Sequence, residues 1–268
     1  MSKDIILDEG PAAGDAKPQA VPVSSTPADT SDIQKYYRAL HARCGAILER
    51  SVASENGRRV AKSHEFFREV DLWCGVLGKR GEVELLRTAA HEYQYALLAL
   101  CHGNYRHAFK ALRLVLELIL QSTHLSANEL ELREWLSHRK DTIWAVLMDP
   151  ENGVFSPRFA HAFFPEVEPH IAYHRLMAMQ VYRECSECVH GNIPKFVPLP
   201  ETLEFSQESF DLWHAKADVV ALIAHFVLSL RHLRAIPEES VSKLESVLVD
   251  RVAHIQEIRV KIGGVFGG

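Results

Sequence analysis

Two short stretches carry residue types and spacings suited to chemistry. In VYRECSECVHGN, Arg183 and His190 are seven residues apart, with Glu187 between them. At about 100° per residue this is nearly two turns, so a helix would project both side chains from one face. An imidazole exchanges protons near neutral pH. A guanidinium holds phosphate through two parallel hydrogen bonds. Glu187 would orient either partner. The trio is a kit for phosphodiester chemistry. A structural reading stands beside it, in which His190 caps a helix or bonds a buried carbonyl.

The second stretch, NYRHAFKALRLVLELILQSTH, sets Arg106, Lys110, Arg113, Glu117 and His124 along one stripe of a helix whose other faces are broadly apolar. One reading is a solvated stripe with a weak Arg113–Glu117 pair. The other is a charged pair facing a cleft inside a mostly buried helix, which would be costly to keep without a use.

Cys185 and Cys188 form a C-x2-C, and Cys101-His102 lies at another expected helix end. These four could ligate zinc. A structural C-x2-C normally sits on a tight turn, however, and this one falls in a helical segment without a second pair. Small apolar cysteines packed in a core are the favoured reading, with no metal and no cofactor. The remaining histidines show no ligand-like spacing. His170 and His174 are four apart without a supporting carboxylate pattern, and His225, inside VVALIAHFVLSL, reads as a core histidine. No phosphate-binding glycine loop is present.

These residues sit in a helical frame. Residues 1–30 mix Pro, Ala, Ser, Gly and Asp without apolar period and read as a disordered acidic tail. From Ser31 to 268 apolar residues recur at three- and four-residue spacing, which predicts one helical domain. Helices are expected near 32–52, 58–77, 80–102, 104–124, 127–138, 141–148, 166–190, 206–234 and 238–260. Asn104 is a candidate cap after the His102-Gly103 break. Pro194, Pro198 and Pro200 enforce an extended loop, and DPENGVFSP (149–157) reads as a second loop. The fold class is therefore all-α: a bundle of about seven to nine helices, with a core over about 80–235. An amphipathic C-terminal helix over about 238–260 packs on the bundle or forms a subunit interface.

Composition removes several function classes. The 268 residues carry a net charge of −5, of which −3 lies in residues 1–30, so the chain lacks the positive field of a protein that coats nucleic acid. The start, MSKDIILDEG, lacks a secretory pattern, and the longest apolar candidate, Val219 to Leu230, is too short to span a bilayer. Five cysteines form an odd, sparse set, which points to free thiols in a reducing cytoplasm without membrane association.

An all-α bundle whose last core helix ends in Arg-x4-to-6-His resembles the HEPN superfamily. It looks most like bacterial branches in which a helix reading roughly A-x2-x-R-x3-E precedes a segment ending Tyr…Ser…Val-His-Gly. The matching residues are Ala108 or Ala111 with Arg113 and Glu117, then Tyr182, Ser186, Val189, His190 and Gly191. The resemblance covers about residues 80–235 and implies a metal-independent endoribonuclease. It further implies a homodimer in which both Arg183 and both His190 line one composite cleft. His190 would act as acid or base on the ribose 2′-hydroxyl, and Arg183 would stabilise charge on the phosphate. Many such proteins are toxins or effectors against phage. Others have lost the site and bind a protein partner or assemble complexes.

Overall fold

The computed structural model describes residues 30–141, 143–189, 195, 197 and 199–263, and among them it is all-α. The helices are α1 (Thr30–Val52), α2 (Ser54–Leu77), α3 (Val83–Cys101), α4 (Tyr105–Leu125), α5 (Glu129–Leu136) and α6 (Trp144–Leu147). They continue as α7 (Pro157–Phe163), α8 (Ile171–Ser186), α9 (Gln207–His232), α10 (Glu238–Val252) and α11 (Gln256–Lys261). Apart from Thr30, the stretch read as a disordered tail lies outside the described residues. Two compact units divide the chain, 1–39 and 40–268. The described part of the first is the opening of α1, exposed throughout. The second holds every other element.

In that second unit α3 and α4 form an antiparallel hairpin. α4 also packs on α8 and α9, and α9 is covered further by α2, α7 and α10. The α3–α4 turn falls at the expected His102-Gly103 break. Gly103 takes φ +77°, and the Gly103 and Asn104 amides bond the Leu100 and Ala99 carbonyls at 3.0 and 2.8 Å. This is the Schellman arrangement, in which a left-handed residue past the helix end satisfies the last carbonyls. A side chain at Gly103 would also approach Ile47 Cδ1 to 2.8 Å. Asn104 makes no side-chain cap; the backbone does that work.

Three element boundaries differ from the sequence reading. The segment expected as one helix over 166–190 opens with a 3₁₀ helix, Pro165–His170, because Pro169 cannot supply an α-helical hydrogen bond. The last expected helix breaks between Val252 and Gln256 into α10 and α11. α7 was not expected within its loop, although its signal is present: Ser156 Oγ accepts from the Phe159 amide at 3.1 Å and Pro157 takes the first helical position. Among the described residues there are thus eleven α-helices rather than seven to nine.

α9 is apolar on nearly every side and carries the fold's main demand. By length and composition it could cross a membrane, yet 72% of its most apolar window is buried inside the bundle. Some of its polar groups find partners in that interior, while Trp213 Nε1, Ser229 Oγ and both ring nitrogens of His232 are buried there without one among the described residues. His225 is wholly buried; its Nδ1 accepts from Trp73 Nε1 at 3.2 Å and its Nε2 donates to Glu69 at 2.8 Å. Indole nitrogen is donor only, which fixes the neutral tautomer. The expected core histidine therefore has both ring nitrogens engaged. Arg251 from α10 closes the group on Glu69 at 2.9 Å. Burial would raise the Glu69 carboxyl, but the bonds from His225 and Arg251 hold it below its usual value.

His174 on α8 and His214 on α9 are buried less evenly. His174 donates Nδ1–H to the His170 carbonyl at 2.7 Å and lies flat on Phe226 at 3.7 Å, with Nε2 unpaired among the described residues. His214 shares Nδ1 with Ser63 Oγ at 2.7 Å, and its Nε2 is likewise unpaired. Burial lowers both imidazoles from 6.5 to about 4. Unfolded, they take up protons at higher pH than when folded. The stability they contribute is therefore complete above pH 6.5 and is lost as pH falls toward 4. Urea midpoints measured against pH should be flat above neutrality and fall through this window, each histidine adding at most about 1.4 kcal/mol per pH unit. His174→Phe keeps the ring stack and should make the fall shallower; an unchanged slope would refute the assignment.

Candidate functional site

The stripe read on α4 divides: Arg106, Arg113 and Glu117 form the seam with α8, whereas Lys110 and His124 line two separate cavities. Arg106 Nη1 donates to the Cys188 carbonyl at 3.3 Å and secures the end of that helix. One turn beyond Lys110, Arg113 and Glu117 pair at 3.1 Å with side chains only 20% and 23% exposed. Tyr182 from α8 joins them. Its hydroxyl donates to Glu117 at 3.0 Å and accepts from Arg113, whose Cζ also lies 4.4 Å from the ring centroid. Burial, ahead of the opposing bond from Arg113, raises the Tyr182 phenol above its usual value. It is a protonated donor at neutral pH. Trp144 of α6 stacks on the same ring at 3.6 Å, 8° from parallel.

A second ion pair lies behind this group. Lys216 of α9 is buried and bonds Glu184 of α8, whose other oxygen accepts from Gln180 at 2.9 Å. Burial would raise the Glu184 carboxyl, but Lys216 and then Gln180 hold it below normal. The sequence offers a signal for this pair, since Lys216 is the one lysine or arginine in SFDLWHAKADVVALIAHF, a largely apolar stretch. Trp144 had no such signal.

Arg183, exposed, lines a cleft of about 490 Å³ together with Trp144, Met179, Gln180, Tyr182 and Glu184. Glu187 Oε2 accepts the Lys195 amide at 2.9 Å, so it ties the loop after α8 to the helix end. His190 lies outside the described residues. The expectation that Arg183 and His190 share a face rested on helix continuing to position 190. α8 instead ends at Ser186, whose hydroxyl bonds the Tyr182 carbonyl at 2.7 Å, and residues 187–189 form a turn. Helical register therefore does not connect the two residues. Arg113 and Glu117 meet Tyr182, the neighbour of Arg183, and are absent from the cleft lining.

The zinc alternative is corrected. Among the described residues no three His, Cys, Asp or Glu side chains gather as metal ligands. Cys101, Cys185 and Cys188 are buried core residues, their thiols pushed up by burial to about 11, 12 and 11. His102 Nδ1 donates to the Leu98 carbonyl at 2.8 Å. These thiols are packing groups, as the favoured sequence reading held.

No family model, curated protein or solved structure matches the chain. The residues themselves carry the functional argument.

Removing one member of the Lys216–Glu184 pair leaves a charge in a poorly hydrated site. Lys216→Met should destabilise the protein by about 3 kcal/mol in urea unfolding. Adding Glu184→Gln should recover a substantial part of that loss. Additive losses would show that the two residues are not coupled.

Proposed function

We propose that the protein is a HEPN-like endoribonuclease that needs no metal, with a composite site formed by two copies of the chain. The observation that carries this reading is the position of Arg183. It is an exposed guanidinium on a cleft whose wall, Tyr182, is fixed from behind by Arg113 and Glu117. A rigid wall holds a bidentate phosphate ligand in place before substrate arrives, which is the condition for stabilising charge as it develops. In this reading Arg183 binds the scissile phosphate and His190 moves the proton of the ribose 2′-hydroxyl. In the same reading Glu187, which accepts the Lys195 amide, orients either partner. Such an enzyme would serve as a toxin or an antiviral effector.

The face of α8 that bears Arg183 also fits pairing of two copies. Tyr173 and Leu176 are 62% and 64% exposed. At 100° per residue they and Arg183 fall within about 80° of arc. Apolar side chains this exposed on one helical face suit a covered surface.

A second reading rests on a different observation. Glu187 is engaged by a backbone amide, and Arg113 and Glu117 by Tyr182, so these polar residues serve the fold. On that reading the chain is a catalytically silent assembly module using the same α8 face.

Incubation of purified protein with total RNA in EDTA separates the two. The nuclease reading expects cleavage, with His190→Ala and Arg183→Ala each at least about 100-fold slower and folded by circular dichroism. Arg183→Lys should not restore the rate, because an ammonium lacks the two-pronged geometry. Equal activity in wild type and His190→Ala, or none in wild type, leaves the assembly module.

A further inference from the structure

On the other side of α4 from the α3 hairpin turn, its last turn opens on a cavity of about 610 Å³ bounded by α5, α6, α7 and the loop before α7. No part of the ribonuclease reading uses it. Its size falls within the range of small-molecule sites. His124, 5% exposed, is one of its walls. Nε2 faces Glu131 at 3.3 Å, and Nδ1 is buried without a partner among the described residues. Nδ1 is sealed from the cavity, so the imidazole serves there as a wall and as the group that holds Glu131.

The remaining lining has a definite charge pattern. Arg158 is an exposed cation at one edge, held by Asn152 Oδ1 at 2.5 Å. Glu131 and Asp149 are the two acids of the lining. Asp149 receives the amides of Glu151 and Asn152 on one oxygen, at 3.0 and 2.7 Å. Lys140 lies 3.5 Å from Glu131 and neutralises it only in part, at the rim. Phe159 and Phe163 stand together at 4.8 Å and make an apolar wall. The cavity thus offers a cation, an acidic side and an aromatic surface.

We propose that this cavity binds an α-amino acid with a bulky apolar side chain. The carboxylate meets Arg158, the ammonium group donates to the acidic side formed by Glu131 and Asp149, and the side chain covers Phe159 and Phe163. A ligand with an anion alone would leave the two acids facing it; an amine alone would leave Arg158 unpaired.

Isothermal titration calorimetry with L-phenylalanine and L-leucine tests the assignment on the full chain. Saturable binding with Kd at or below about 1 mM is expected. 3-Phenylpropionate, without the amine, and phenethylamine, without the carboxylate, should each bind at least about 10-fold more weakly. Arg158→Gln changes an exposed residue and keeps the fold, and should weaken L-phenylalanine by at least about 10-fold. Glu131→Gln should do the same where circular dichroism shows it folded. No saturation by either amino acid up to about 20 mM overturns the proposal. So does an Arg158→Gln protein that binds as wild type does. Neither result bears on RNA cleavage, because Arg183 and its cleft lie on other residues.

Discussion

A helix buried on almost every side cannot leave its polar atoms to water, and that constraint organises this protein. α9 brings His214, Lys216 and His225 into the interior. They are answered from two helices: Ser63 and Glu69 on α2, with Trp73 beside the latter, and Glu184 on α8. Hydrophobic burial alone would tolerate many rotations and shifts of α9. Specific pairing with three donors and acceptors does not, so the polar residues select one register from the many that an apolar surface permits.

The same logic places the candidate site. α8 is pinned to α9 through Lys216 and Glu184 and to α4 through Tyr182 with Arg113 and Glu117. Arg106 and Glu187 then hold its end and the chain that follows. Arg183 sits between these fastenings, exposed on a cleft that it lines together with Trp144 of α6. A guanidinium on such a helix has a fixed origin even though its own chain is long, and the proposed phosphate contact relies on that.

Much of the frame was legible in the sequence, because three- and four-residue apolar spacing reports helices directly. α3, α4 and α9 fall close to where that spacing puts them, and the Gly103 break falls where glycine permits a left-handed turn. Short elements were less legible. α7 is a single capped turn and a half, too brief for periodicity to register. Pro169 marks the 3₁₀ segment plainly, but an apolar pattern running through it gives the appearance of one long helix. At the candidate site, the residue types were readable and their partners were not. Spacing placed Arg113 and Glu117 together, yet only the packing of α8 against α4 supplies Tyr182. Trp144 is separated from Tyr182 by too much chain for any local pattern to pair them. The helical link from Arg183 to position 190 does not carry through, because α8 ends at Ser186 and residues 187–189 form a turn that no apolar spacing marks.

The cluster around Glu69 ties distant parts of the chain to one another. Its carboxylate lies 182 residues before Arg251, the guanidinium that neutralises it. Through that one group α2 holds both His225 of α9 and Arg251 of α10, so a change at Glu69 reaches three helices at once.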